Sequence, residues 1–375
     1  MFNWFRKWHD TGNGISRRVA EAEKAVSGSG ARDVGRWEAL ADACAREREA
    51  RGEYRALARI SELLPEDFDR AFASGLAARR AHLIPEALDS FSRCLALDPE
   101  SATAHSQYAK ALDFAGDKDA ALQHHRKALE LSGGSAEAYY HLGVTHANNE
   151  RNQEAMEAYR AAVEADPSFA RAHGNLGVLL DRAGEFDHAV EEIRRAVELE
   201  PERAEWHLNL GALYGEHHQF DEAIEEFFLA LECDPHNAEA RFNLGVAYLD
   251  RGQCGQAVEE LRRAVTTAPN NAIILRALAD AHQKKGQYER AVRTLRDALR
   301  VAPDEACAHY ELGCVLNKMD RVEEAITEFE RTIALDPENG RAYYHLGVAF
   351  DKRGDPLPAR EAYRRSEEIL SKEEA

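Results

Sequence analysis

Three asparagines, Asn175, Asn209 and Asn243, recur at intervals of 34 residues, each followed by Leu-Gly. A carboxamide carries a donor and an acceptor side by side, so it can pair with a peptide unit through both. Four histidines, His105, His173, His207 and His309, share another recurring position. Recurrence in register predicts a structural part for them rather than proton transfer or ligand binding. Signatures of reaction chemistry are missing. No GxGxxG or GxxxxGK[ST] follows a strand, no HExxH occurs, and Glu216-His217-His218 lacks the spacing that sets two imidazoles on one helix face. Cys307 and Cys314 lie two helical turns apart, about 10 Å of rise, too far for an undistorted disulfide and strained for a shared metal. His124-His125 reads as an ordinary polar helix face. The pairs Glu191/Glu192, Glu225/Glu226 and Glu259/Glu260 read as a solvated acidic face. No catalytic, cofactor-binding or metal-binding residue is assigned, and the chain is expected not to be an enzyme.

The elements that position these side chains follow from a period. Pro65, Pro99, Pro167, Pro201, Pro235, Pro269, Pro303 and Pro337 are spaced by 34 residues or twice that, with Gly133 at the missing mark. Glycine or alanine sits 24 residues before each mark from Pro99 onward, from Gly75 through Gly313, and Gly347 opens one more copy. Alanine follows 12 residues after each of these, from Ala87 to Ala359, and a small residue follows seven further on. Residues 170–183 carry Leu176, Leu179 and Leu180 at helical spacing, Gly184 interrupts, and Phe186, Val190, Ile193 and Val197 form a second apolar stripe. The unit is therefore a helical hairpin whose small residues admit close approach. The residue before proline is pushed out of the α region, so the second helix ends there. Ser101, Asn237 and Asn271 stand at N-cap positions.

These residues resemble the tetratricopeptide repeat: a small residue at repeat position 8, alanine at 20 and 27, and proline at 32. Nine copies fill residues 68–373. A degenerate copy is read at 34–67, where Gly52-Glu53-Tyr54 places the turn four residues late. Residues 1–33 form an aromatic and basic segment with a short helix over 16–26 and a linker, and 374–375 are a tail. The resemblance implies an all-α, right-handed superhelical solenoid. One repeat cannot bury its stripes, but stacked repeats make a continuous core.

In this family the first helix of each hairpin lines a concave groove through positions 2, 5, 6, 9, 12 and 13. The segments around Asn175, Asn209 and Asn243 are similar to the arm of O-linked N-acetylglucosamine transferase, without its catalytic domain. There an asparagine ladder holds an extended peptide. The implied groove residues are Asn175, Asn209, Asn243 and His141 at position 6, Tyr140, Phe242, Tyr310 and Tyr344 at position 5, and Glu205 and Glu239 at position 2. The asparagines have two readings, ligand contact and plain helix surface. Neighbouring inner helices about 8–10 Å apart and a chain advancing about 3.3 Å per residue allow one rung per roughly three ligand residues. Another clamp of the family, which reads carboxyl-terminal peptides, needs Lys and Asn where Tyr140 and Val144 stand, so that recognition is disfavoured.

Charge bounds the partners. Lys plus Arg number 48 against 67 Asp plus Glu, a net of −19, which disfavours nucleic acid. The six groove positions of nine repeats hold 11 acids and 10 bases, so the excess lies on other faces. Within the groove, Glu205, Glu216, Glu239 and Asp250 stand in two consecutive repeats without a base, which favours Lys or Arg in the ligand. Single scattered cysteines and no secretory signal suit the cytoplasm. The expected function is a protein–protein interaction scaffold that binds an extended partner segment, as a monomer and without a cofactor. The alternatives are a targeting subunit of an enzyme or secretion complex acting in trans, a self-assembling structural protein, and a membrane-peripheral factor. For the last, Met1, Trp4, Phe5 and Trp8 would form the contact face.

Overall fold

The computed structural model describes residues 17–27 and 32–373. Two compact units are bounded by Met1–Leu179 and Leu180–Ala375. In the first lie α1 (Arg17–Val26), α2 (Val34–Arg46), α3 (Ala50–Leu63), α4 (Phe68–Arg80), α5 (Ile84–Leu97), α6 (Ala102–Ala115), α7 (Lys118–Leu131), α8 (Ala136–Asn148) and α9 (Asn152–Ala165), and α10 (Ala170–Arg182) contains the boundary. The second holds α11 (Phe186–Leu199), α12 (Ala204–Glu216), α13 (Phe220–Cys233), α14 (Ala238–Asp250), α15 (Cys254–Thr267), α16 (Ala272–Lys284), α17 (Tyr288–Val301), α18 (Ala306–Lys318), α19 (Val322–Leu335), α20 (Gly340–Arg353) and α21 (Pro356–Glu373). No strand occurs among the described residues, and the fold is an all-α repeat array.

Within each unit the helices pair as antiparallel hairpins, and each hairpin stacks on the next, α3 on α4 and α13 on α14 for example. The small residues sit at the contacts: Ala87, Ala121, Ala155, Ala223, Ala257, Ala291 and Ala325 are fully buried. Glycine at position 8 has a sharper role. A Cβ on Gly75 would lie 2.6 Å from the Phe91 ring, and one on Gly313 would lie 2.7 Å from Phe329. The second helix therefore lays an aromatic ring directly on first-helix backbone. At Gly245 the seated side chain is Leu261, 2.5 Å from such a Cβ.

The caps agree with the spacing. Ser101, Asn237 and Asn271 accept hydrogen bonds from the amides of Ala104, Ala240 and Ile274. Second helices stop two residues before proline, with Asp98 (φ −138°, ψ 94°) before Pro99 already extended. The turn between the two helices falls at one repeat position throughout and carries a left-handed residue. Five of these are glycines, Gly116, Gly184, Gly252, Gly286 and Gly354, and five are not: Arg48, His82, Glu150, His218 and Asp320. Arg48 shows that the segment from residue 34 turns in step with the others. The turn expected around Gly52 is displaced, because Gly52 lies inside α3. Helix α1 closes the first unit's core, with Val19 and Val26 buried against Leu40, Cys44 and Ile60.

Candidate functional site

The recurring histidines have a common geometry. In the second unit, His207 Nε2 donates to the Pro201 carbonyl at 3.1 Å, and Nδ1 lies 2.7 Å from Glu226. His309 repeats this with Pro303 at 3.0 Å and Glu328 at 2.6 Å. Arg241 does so with different chemistry, reaching the Pro235 carbonyl at 2.8 Å and Glu260 at 3.1 Å. Each side chain thus ties the preceding loop to its own second helix. Proline supplies a carbonyl that no helix claims, so a donor is needed there.

Two of the six glutamates of the expected acidic face are therefore not solvated. Glu226 and Glu260 turn inward to these ties, and Glu260 is buried. Glu225 points outward, as expected. Glutamate spacing alone cannot separate the two positions, but their distance of 19 residues from His207 and Arg241 could have.

In the first unit the tie is altered. His105 Nε2 donates to Pro99 at 3.1 Å, but its Nδ1 lies 2.8 Å from Nδ1 of His124. Burial and the neighbouring His105 and His125 lower the His124 pKa. His125 is buried, with Nε2 3.4 Å from Asp113 and its ring stacked on His141. The ordinary polar face expected for His124-His125 is thus incorrect. His125 occupies the seat that Phe91 and Tyr159 fill in neighbouring hairpins, opposite Ala109 instead of glycine. That register was present in the sequence.

Among the implied groove residues of the first unit, Tyr140 stands in an aromatic group with Phe169 and Tyr159, and the Arg171 guanidinium lies 5.1 Å from its ring centroid. His141 is mostly buried, 3.3 Å from Glu137, and burial together with the nearby Lys110 pushes its pKa down to about 4. It is a neutral, packed ring. Asn175 donates its amide to the Tyr159 hydroxyl at 3.3 Å.

In the second unit, Asn209 and Asn243 are half-buried on α12 and α14, one repeat apart. Among the described residues neither side chain makes a hydrogen bond. Phe242 is half-buried beside Asn243, and Glu239 is exposed. Glu205 is not the unmatched acid that was expected. Arg203 donates to it at 2.7 Å, also pairs with Glu200 at 2.9 Å, and lies over the Trp206 ring. Arg203 closes the preceding repeat, outside the six groove positions, which is why the count passed over it. Tyr310 packs on Phe329 and His345, and Tyr344 is half-exposed beside His345. Cys307 is exposed and Cys314 half-buried, both as free thiols. Met1–Trp8 lies outside the described residues. No helix among the described residues is long and apolar enough to cross a membrane.

Comparison with known proteins agrees with this geometry. One tetratricopeptide-repeat profile matches residues 72–136, 108–170, 208–272 and 310–373, and a second matches 149–214 and 248–312. No curated protein sequence matches. Among solved structures, the APC/C hetero-tetramer Cut9-Hcn1 is similar in fold, at 17% identity and a TM-score of 0.52 over 88% of this chain and 67% of that one. MamA matches at 29% identity and a TM-score of 0.42, over 44% of this chain and 96% of its own. YrrB, described as a TPR protein with an unusual peptide-binding site, matches at 28% identity and 0.43, over 51% and 98%. With repeat profiles covering more than half of its length, the chain belongs to the tetratricopeptide repeat family.

Proposed function

We propose that this protein is a cytoplasmic, non-enzymatic interaction scaffold that binds an extended segment of a partner along the first-helix faces of its hairpins. Membership of the repeat family supports a protein-interaction role. The observation that carries the finer reading is the pair Asn209 and Asn243. Their side-chain amides stand one repeat apart, with neither donor nor acceptor engaged among the described residues. An unengaged carboxamide at each rung can hold a peptide N–H and C=O together. Two rungs of two bonds, at about 0.5–1.5 kcal/mol net per bond, supply about 2–6 kcal/mol. Association and ordering cost about 4–15 kcal/mol, so side chains must add to the asparagines, and we assign that part to Phe242 and Tyr344. Asn175 has its donor engaged with Tyr159, so it offers only its carbonyl. All six cysteines are free thiols, which suits a reducing compartment.

Quantitative pull-down with mass spectrometry, comparing wild type with Asn209→Ala/Asn243→Ala after matched thermal melts, tests the proposal. Partners that drop out at least tenfold in the variant support it. Partners retained equally by both proteins would show the asparagines to be scaffold and overturn it.

A further inference from the structure

A cavity of about 330 Å³ opens on the first-helix face of α16, α18 and α20. Gln283, Tyr310, Asn317, Lys318 and His345 all border it. Two carboxylates also border it, and both are already matched. Glu311 is held by two nitrogens of Arg276, and Asp280 lies 3.1 Å from Lys284. Lys318 is exposed and makes no ion pair among the described residues. The cavity's one unmatched formal charge is therefore positive.

Asn317 supplies the second observation. It is only 8% exposed, and its side-chain Oδ1 is buried without a hydrogen-bond partner. Such a group costs about 1–3 kcal/mol in a folded chain unless something else pairs with it. A carboxamide rotated by half a turn presents its NH2 in place of the oxygen. His345 is held neutral by burial and by the nearby Lys318, and a neutral imidazole still offers one N–H. Gln283 offers another amide. An ammonium, two carboxamides and an imidazole N–H thus border one cavity, with the Tyr310 ring and Leu295 as apolar wall for a short methylene stem.

We propose that this cavity seats an acidic side chain, Asp or Glu, from within the partner segment, and so fixes which part of that segment lies against α16–α20. The inference rests on the reading that these helices take an extended peptide. It adds a register: an acidic residue here, and a basic one where Glu216, Glu239 and Asp250 leave acids exposed on α12 and α14.

The test uses the full chain and a random peptide library displayed with its C-terminus fused, so that only side chains supply carboxylates. Wild type, Lys318→Glu and Asn209→Ala/Asn243→Ala are panned in parallel, and selected peptides are measured by fluorescence polarisation. The expected result is an Asp or Glu enriched at one position. Lys318→Glu should weaken those peptides at least tenfold and select Lys or Arg at that position. Enrichment that Asn209→Ala/Asn243→Ala abolishes, but with no acidic position or no response to Lys318→Glu, would overturn this inference and leave the groove reading standing. A preference for Asn or Gln would overturn the charge assignment. Failure to enrich any peptide would overturn both readings. Asn317→Leu gives an independent check. It should melt no lower than wild type, because it removes an unpaired buried oxygen, yet lose the acidic peptides. Lower melting with binding intact would mark Asn317 as structural and overturn its place in the site.

Discussion

At His207 and Arg241, two different side chains perform one task, reaching a proline carbonyl on one side and a glutamate on the other. The task is defined by donors, not by imidazole chemistry. His207→Ala should therefore lower unfolding stability by about 1–3 kcal/mol, since it strands a mostly buried carboxylate and a carbonyl. His207→Arg should restore most of the loss, and urea denaturation of the three proteins measures both. The histidine register was legible in the sequence and pointed to structure. Its partners were legible only through their distance of 19 residues, because Glu226 and Glu260 stand beside other glutamates in a helix with charge on both sides of its seam. Arg48 was hidden for a different reason. A left-handed turn residue that is not glycine leaves no compositional mark, so the nearest glycine, Gly52, drew the reading four residues away.

Helices α6, α7 and α8 bring His105, His124, His125 and His141 together, and burial disfavours a proton on His124 and His141. Burial, reinforced by Lys110, holds His141 near 4 in the folded chain, against 6.5 for a free imidazole. His124 and His146 shift in the same direction. The unfolded chain therefore binds more protons than the folded one between those values. The stability is full above pH 6.5 and is lost as the pH falls toward 4. Thermal melts at pH 7.5 and 5 should show the first unit weakening by about 1–3 kcal/mol. His141→Gln should blunt that response. Many helix boundaries were readable, since the prolines mark second-helix ends and glycine marks five of the turns. The seat opposite position 8 was not recognised in the sequence, because Phe91, Tyr159, Leu261 and His125 share a place but not a chemistry. The distances from Gly75, Gly143 and Gly245 to Phe91, Tyr159 and Leu261 define the seat, and His125 fills it by register.

At the scale of the molecule, each hairpin completes its neighbour's core. Phe329 and Leu316 share a buried cluster with Leu346, Ala349 and Ala362 of the last hairpin. A chain ending at Asp336 should leave that cluster half-covered. Urea unfolding is expected to show a lower midpoint and, with less surface to expose, a shallower slope. An unchanged midpoint would mean that stability is not shared between neighbours. The left-handed turns open a different use of the array. All are left-handed, with φ of 76–91° at the glycines and 56–60° at the other residues, so the residue there adjusts stability within one type of turn. A non-glycine residue in that conformation costs about 1 kcal/mol. Arg48, His82, Glu150 and His218 are thus four separate dials, whereas Asp320 also holds Lys352 of the next first helix at 2.8 Å. Set one by one to glycine, the four would yield a graded series of more stable proteins with the first-helix residues unchanged. Such a series separates what the partner gains from contacts from what it gains by meeting a scaffold already in place.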